Sequence, residues 1–258
     1  MQLFIAIEMI PRKGTRMYSA DSIAYYDKIY ASQGKDYRKE AEYLQSVLHT
    51  RITDRKPTLL DVACGTGNHL LYLRKHFEVE GVDVSLDFVR AARSKLPKVK
   101  FYVGDMRTFR LGKEYSVVTC LFSSIGFMET SSKLQTAIRN MARHVKVGGV
   151  LVVEPWFSPG QLIDGRVSLA SVDEDKLKMV RMSTTRVEGT ISRFDFHYLI
   201  GTSEGTEHFV ERHRMRLFTK DEMVDAFEKA GLGVEYDEKG PTGRGLYIGK
   251  RVDAKSNI

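Results

Sequence analysis

The stretch DVACGTGNH, from Asp61 to His69, decides the fold of this chain. It follows a short apolar segment, TLLDVA, and it opens a segment with apolar residues at helical spacing, GNHLLYLRKH. Two glycines let the backbone turn tightly and approach a ligand closely. The N-terminus of the following helix offers N–H groups that have no helical partner. The pattern therefore predicts a ligand-binding turn between a strand and a helix.

The spacing of the glycines argues against a dinucleotide. In the fingerprint G-x-G-x-x-G a third glycine lets the backbone approach a pyrophosphate closely. Gly65 and Gly67 match the first two positions, but Leu70 stands at the third. The sequence therefore favours a ligand with a carboxylate and a ribose but no phosphate. We expect His69, inside the turn, to be a packing or capping partner.

Strand-like and helix-like segments alternate from Thr58 to about Val153. Apolar strands between amphipathic helices are typical of a parallel sheet covered on both faces, and right-handed crossovers then give a doubly wound α/β domain. Two more strand-like segments, LGVEYDE and GLYIGKRV, lie near the end of the chain. The sequence predicts a mostly parallel, seven-stranded, Rossmann-like sheet.

The pattern changes after Gly165. Strand-length segments with alternating polarity follow, as in RFDFHY from Arg193 to Tyr198, which suits an antiparallel sheet with one solvated face. We predict a small antiparallel sheet, inserted into the domain at about residues 160–217. Thr219 and Glu222 then fit a capping box that opens a helix.

Two further acids stand at the predicted carboxyl ends of strands. Asp83 ends the second strand, and Asp105 follows the third strand in Gly104-Asp105-Met106. Ligands of open α/β sheets bind at this edge. Asp83 can accept hydrogen bonds from ribose hydroxyls, and Asp105 can accept from an adenine amino group while the Met106 backbone donates to the ring.

The motifs DVACGTG, GVDVS and GDM resemble those of class I S-adenosylmethionine-dependent methyltransferases, in the same order. The resemblance implies S-adenosylmethionine as the cofactor and S-adenosylhomocysteine as the product. It also implies a cofactor-binding set in which Ala63 and Gly65 line the methionine end, Asp83 the ribose, Asp105 and Met106 the adenine, and Leu121 the vicinity of the sulfonium.

Four other segments, YDKIYASQGKDYRKEA, FSSIGFM, VVEPWF and GPTGRGLY, narrow the resemblance. They are similar to the N,N-dimethyltransferases that act on nucleotide-linked 3-amino-3,6-dideoxy sugars in macrolide sugar biosynthesis. The likeness runs from about Met17 to Val252. This leads to the hypothesis that residues 1–16 are a non-native extension of a methyltransferase domain at 17–258.

By this resemblance, Tyr26 and Tyr37 close over the cofactor, and Tyr18 and Arg244 face the substrate. Arg244 lies between glycines in GPTGRG, and its planar guanidinium suits a phosphate or a sugar oxygen. The alternative interpretations are that the tyrosines of the N-terminal segment are ordinary core or surface aromatics, and that the arginine is an exposed loop residue.

The segment VVEPWF ends the fifth predicted strand at the same edge of the sheet. Pro155 stops strand pairing because it has no N–H group. Trp156 and Phe157 then offer a flat apolar surface on which a base or a sugar ring can rest. The alternative is that the tryptophan fills the joint between the main sheet and the insert.

The sequence identifies no catalytic base. Phe127 stands at a position that can carry tyrosine or histidine in the resembled family, and phenylalanine cannot move a proton. His197, on an alternating strand, is a remaining candidate, although a lone strand histidine is more often structural. An amine acceptor can bind neutral, so the chemistry does not require a base. No cluster of residues has the spacing of metal ligands.

The net charge of +7 raises the question of nucleic acid. Residues 1–16 and 250–258 each carry +2, which leaves only +3 on the rest of the chain. A charge excess in the ends is weak support for nucleic-acid binding. We expect a small-molecule substrate, with a nucleic-acid methyltransferase or a non-enzymatic cofactor-binding relic as alternatives. A relic would be expected to have lost the glycines or the acids, and all are present.

The chain shows no run of about 18 apolar residues that would span a membrane. Its opening places the basic residues after the apolar stretch, the reverse of a signal peptide. Cys64 and Cys120 lie in apolar segments, as buried thiols in a reducing compartment do. We expect a cytoplasmic protein that has no membrane partner and can form a homodimer.

Overall fold

The computed structural model describes residues 20–253, with side chains from residue 23 onwards. Tyr18 and the proposed extension at 1–16 lie outside the described residues. The helices are α1 (Ala20–Ser32), α2 (Tyr37–His49), α3 (Asn68–Leu73), α4 (Leu86–Lys95), α5 (Ser131–Ala142) and α6 (Lys220–Glu228), with a 3₁₀ helix, η1, at Ser124–Met128.

The strands form two sheets. Those of the main sheet are β1 (Thr58–Val62), β2 (Glu78–Asp83), β3 (Lys100–Val103), β4 (Tyr115–Cys120), β5 (Val145–Val153), β10 (Leu232–Asp237) and β11 (Leu246–Arg251). Those of the second sheet are β6 (Val167–Glu174), β7 (Leu177–Glu188), β8 (Ile191–Thr202) and β9 (Gly205–Arg216).

The main sheet has the order β3-β2-β1-β4-β5-β11-β10. Strands β1 to β5 pair in parallel, and β11 runs antiparallel to both of its neighbours. The strand order reverses between β1 and β4, and ligands of such sheets bind at this switch point. The predicted mostly parallel, seven-stranded α/β sheet is confirmed.

Alternation along the strands distributes the core between the two faces of the main sheet. Leu60 and Val118 pack with α5 and α6 on one face, whereas Leu59 and Val117 pack with α2, α3 and α4 on the other. Because successive side chains of a strand point to opposite faces, a strand buried on both faces is apolar at most of its positions. The near-continuous Leu and Val content of β1, β4 and β5 has this cause.

The second sheet is an antiparallel meander of the sequential strands β6 to β9. Met179 and Ile200 on its inner face pack in one cluster with Ile29 of α1. Its outer face is exposed at alternate residues. The sequence predicted the antiparallel insert but not β6 as a separate strand. The bounds predicted for the insert, about 160–217, contain all four strands.

The helix that returns the chain to the main sheet begins as the sequence predicts. Thr219 caps α6, its side chain accepting from the Glu222 N–H at 3.1 Å, and the Glu222 carboxylate accepts from the Thr219 N–H at 3.0 Å. This reciprocal pair is a capping box, which satisfies two backbone donors that the first helical turn leaves open.

Candidate active site

The glycine turn after β1 is held open by backbone geometry and by one acid. Gly65 has φ +53° and Gly67 has φ +77°, a conformation that side chains with a Cβ rarely adopt. The carboxylate of Asp83, at the end of β2, accepts a hydrogen bond from the Gly65 N–H at 2.9 Å. The same side chain accepts from the Ser85 N–H at 2.8 Å. Asp83 thus fixes the turn at the switch point of the sheet.

Asp83 and Asp105 differ in their electrostatic environment. Burial raises the pKa of Asp83, because a charged carboxylate loses hydration when it is enclosed. Hydrogen bonds from the Arg107 side chain lower the pKa of Asp105. The Arg107 Nε lies 2.9 Å from Oδ1 of this carboxylate, and Nη2 contacts Oδ2.

A cavity of about 320 Å³ opens at the carboxyl ends of β1, β2 and β3. Six of the residues predicted to bind the cofactor line it, namely Tyr26, Ala63, Gly65, Asp83, Asp105 and Met106. The turn, the two strand ends and α1 are far apart in the sequence, and the parallel sheet brings them to one edge.

The residues present fit S-adenosylmethionine. A Cβ placed on Gly65 would meet no protein atom within 4 Å, so the backbone at this point faces open space that a ligand can fill. Each oxygen of Asp83 accepts one backbone hydrogen bond and retains a second lone pair. Two such oxygens at one end of the cavity match the paired hydroxyls of a ribose.

A second cavity, of about 670 Å³, adjoins the first. Tyr26, Ser124 and Phe127 line both cavities, so they mark the passage between them. Trp156 and Arg244, predicted to bind substrate, line the second cavity. We call it the acceptor cavity, and the first the cofactor cavity.

Glu154 organises the wall of the acceptor cavity. It follows β5 directly and its side chain is completely buried. One carboxylate oxygen accepts from the Phe122 N–H at 2.6 Å. The other accepts from Arg244 Nη2 at 2.9 Å and from the hydroxyl of Thr242. Because a buried charge is costly unless it is paired, Glu154 ties the loop at residues 240–245 to the end of the main sheet.

Arg181, on β7, lines the acceptor cavity and was not singled out from the sequence. It is 5% exposed, and its guanidinium lies 4.7 Å from the ring centroid of Tyr30 and 4.6 Å from that of Phe196. Its Nη2 donates to Gln33 at 2.5 Å, while Nη1 has no hydrogen-bond partner among residues 20–253. The strand pattern offered a signal, because this arginine occupies the same face as Met179 and Ser183.

Lys35 and Glu40 add a second charged group to the same cavity. Lys35 Nζ donates to Glu40 Oε2 at 2.7 Å and lies 3.6 Å from the ring centroid of Phe122. Burial lowers the pKa of this lysine. Glu40 also contacts His69 Nε2 at 2.8 Å. His69 is therefore a buried hydrogen-bonding partner of α2, consistent with the packing role expected from the sequence.

The structure does not bring every predicted residue to a cavity wall. Tyr37 packs edge-on against His69, and Leu121 is buried in the core. Phe157 packs against the side of Trp156 with ring centroids 4.7 Å apart. His197 lies on the outer face of the second sheet, stacked on His208, because its position in the alternation of β8 is opposite to that of Phe196 and Tyr198. This placement argues against His197 as the base.

Within residues 20–253, no three His, Cys, Asp or Glu side chains are grouped as a metal site would require. No helix of this range has the length and apolar character needed to cross a membrane. Both cysteines are buried thiols.

Comparison with known proteins gives concordant matches. Residues 59–149 match a family model described as a methyltransferase domain. The dTDP-3-amino-3,4,6-trideoxy-alpha-D-glucopyranose N,N-dimethyltransferase of Streptomyces venezuelae is 41% identical over 235 residues, which are 90% of this chain and 99% of that protein. The crystal structure of DesVI from Streptomyces venezuelae has a TM-score of 0.85 at 40% identity, covering 91% of this chain and 100% of its own. SAM-bound CalS10, an amino pentose methyltransferase from Micromonospora echinaspora, has a TM-score of 0.80 at 36% identity and covers 88% of this chain and 96% of its own.

Proposed function

We propose that this chain, which belongs to the S-adenosylmethionine-dependent sugar N,N-dimethyltransferase family, methylates the amino group of a nucleotide-linked amino sugar. The family membership confirms the resemblance inferred from the motifs. The acceptor cavity carries the proposal of the substrate. It adjoins the cofactor cavity, and it holds buried cationic donors that suit a phosphate beside aromatic rings that suit a base or a sugar.

The cations of the acceptor cavity support a phosphorylated acceptor. Lys35, Lys39, Arg181 and Arg244 line it. Arg181 Nη1 and Arg244 Nε are buried donors without a hydrogen-bond partner in the described part of the chain. Buried donors are almost always satisfied, so two orphaned guanidinium nitrogens in one cavity favour an anion there. A diphosphate offers enough oxygens for both arginines.

The aromatic wall supports the rest of the acceptor. Trp156 Nε1 donates to Ser192 Oγ at 3.0 Å, and the indole packs edge-on against Phe194. These contacts fix the ring at the side of the cavity where the second sheet begins. A flat, fixed aromatic surface binds a base or a sugar ring with little loss of conformational entropy.

The cofactor, when bound, supplies an activated methyl group on a sulfonium. We propose that Asp83 holds its ribose, Asp105 and Met106 its adenine, and Ala63 and Gly65 its methionine end. The protein then has to exclude water and to align the acceptor nitrogen with the passage between the cavities. Tyr26, Ser124 and Phe127 form that passage. The roles predicted for Tyr18, Tyr37, Leu121 and Phe157 stay predictions.

The proposal also includes the setting of the reaction. We propose a cytoplasmic enzyme that acts on a small molecule and not on nucleic acid, because the largely buried cations Lys35, Arg181 and Arg244 line a concave cavity, whereas the arginines on the outer face of the second sheet are paired with acidic side chains. A homodimer stays a prediction, which sedimentation equilibrium would test.

The experiment is a methyl-transfer assay with labelled S-adenosylmethionine. The acceptors are TDP-linked 3-amino and 4-amino sugars, the corresponding sugar without the nucleotide, tRNA, and small amines. We expect transfer to a TDP-linked amino sugar and mono- and dimethylated products by mass spectrometry. Arg181→Ala should raise the KM for the TDP-sugar at least tenfold, and Arg193→Ala, on the outer face of β8, should not. Methylation of tRNA but of no sugar would overturn the proposal.

A further inference from the structure

Two titratable residues of β9 are buried on the inner face of the second sheet, and one of them, His213, lines the acceptor cavity. Glu211 and His213 are two residues apart, so they lie on the same face of the strand. They are 2% and 4% exposed, and their partners across the ladder are Phe196 and Phe194. Burying the Glu211 carboxylate among phenylalanine rings is unfavourable unless its charge is paired. The presence of this carboxylate therefore suggests a role for it.

The position of His213 connects it with the reaction centre. Its ring lines the acceptor cavity and lies 5.9 Å from the ring of Phe127, centroid to centroid. Phe127 lines both cavities. His213 is therefore one ring away from the passage where an acceptor nitrogen has to meet the methyl group.

Glu211 is placed to support a positive charge on His213. Its Oε2 is 3.5 Å from His213 Nε2. Its Oε1 is buried and has no hydrogen-bond partner among the residues that the structure describes. The carboxylate thus has acceptor capacity that residues 20–253 do not use. Glu211 is therefore placed to accept a hydrogen bond from the His213 ring.

We propose that His213, supported by Glu211, accepts the proton of the acceptor's ammonium group, an inference that rests on the proposed function. The N–H bond of the ammonium breaks, its electron pair stays on the amine nitrogen, and a new N–H bond forms on the imidazole. The Glu211 carboxylate lies against Nε2 of this ring and helps to orient it. The proton passes to water before the next turnover, and a second methylation repeats the step.

With His213 and Glu211 nearby, the site has a candidate base although Phe127, in SSIGFM, cannot serve as one. Phe127 stands at a position that can be titratable in the family, and His213 lines the acceptor cavity next to the Phe127 ring. Lys35 is a weaker candidate, since it already donates to Glu40. Glu211 lies beside His213 on β9. The titratable and charged groups that line the cavity together with His213 are Tyr26, Tyr30, Lys35, Asp36, Lys39, Glu40, Arg181 and Arg244.

The test compares His213→Asn with His197→Asn, a matched histidine on the outer face of the same sheet. General-base catalysis contributes about 100-fold or more. We expect His213→Asn to lower kcat about 100-fold at pH 7. The kcat of this variant should rise at least about tenfold between pH 7 and pH 9, because the amine loses its proton in solution. The affinity for S-adenosylmethionine should not change, and His197→Asn should follow the wild-type profile.

Two further measurements separate a base from a merely structural residue. Phe127→His in the His213→Asn background should restore at least about tenfold of the activity at pH 7, because it returns a base to the passage. In the wild-type protein with S-adenosylhomocysteine, NMR of labelled histidine should show His213 protonated with the amino sugar and neutral with a sugar that carries a hydroxyl instead.

The outcomes also distinguish the two proposals. If the wild-type protein methylates the amino sugar but His213→Asn loses the same factor at pH 7 and pH 9, the role of His213 is refuted while the function stands. The role of His213 is also refuted if its NMR signal in the wild-type protein shows the same protonation state with the amino sugar as with the hydroxyl sugar. This result does not depend on the folding of a variant. If the wild-type protein methylates no amino sugar, both proposals fail.

Discussion

Replacing Arg244 by alanine should destabilise the protein as well as weaken acceptor binding. The change removes the cationic partner of Glu154, whose side chain has no exposed surface. The Phe122 N–H and the Thr242 hydroxyl still donate to the carboxylate. What is lost is the positive charge that compensates a buried anion.

The magnitude follows from the environment of the pair. Removing one partner of a buried ion pair costs about 3–5 kcal/mol. The lower end, about 3 kcal/mol, applies to Glu154, because two hydrogen bonds remain and Lys35 lies in the same cavity. At about 2–4 °C per kcal/mol for a chain of this size, the midpoint of thermal unfolding should fall by about 6–12 °C.

A double-mutant cycle in urea isolates this interaction. Glu154→Gln keeps one acceptor oxygen, which the Phe122 N–H can still use, and removes the charge. Arg244→Ala should therefore cost about 2 kcal/mol less in that background than in the wild type. The control is Arg193→Ala, which breaks an exposed pair with Glu188 at 2.9 Å and should change the free energy of unfolding by at most about 1 kcal/mol. Equal costs of Arg244→Ala in both backgrounds would refute the reasoning that Glu154 depends on this charge.

Three other predictions follow from the same geometry. Asp83→Ala should weaken S-adenosylmethionine binding about 10- to 100-fold in calorimetry, since it removes charged hydrogen bonds to the glycine turn and to the proposed ribose; unchanged affinity would contradict the ribose contact. Burial raises the pKa of Asp61 to about 6. Its contribution to stability is therefore complete below the unfolded pKa of about 3.9 and is lost as the pH rises through about 6. The free energy of unfolding of Asp61→Asn relative to wild type should increase by about 2–3 kcal/mol between pH 4 and pH 7, and a constant difference would argue against the shift. Gly240→Ala should raise the KM for the acceptor more than Gly243→Ala, because both residues have positive φ but only a Cβ on Gly240 would collide with the Gly245 carbonyl; equal effects would show that backbone strain alone matters.

The sequence by itself determined the cofactor side of this protein. Gly65, Asp83 and Asp105 each follow a predicted strand, and the carboxyl ends of parallel strands meet at one edge, so linear order was enough to place them together. The capping box at Thr219 could also be predicted from the sequence, because its hydrogen bonds join residues that are three positions apart. Such features depend on local geometry and on one topological rule.

Apart from Trp156 and Arg244, which the sequence had singled out, the acceptor side was decided by the tertiary structure. Alternation along β7, β8 and β9 shows that the strands have two faces, but it does not say which face meets α1 and η1. That choice turned His197 outwards and brought Arg181 and His213 into the cavity. Glu154 and Arg244 form a buried pair because β5 and β11 are neighbours in the sheet. Contacts between such distant positions arise from strand order and packing, which no local pattern in the sequence records.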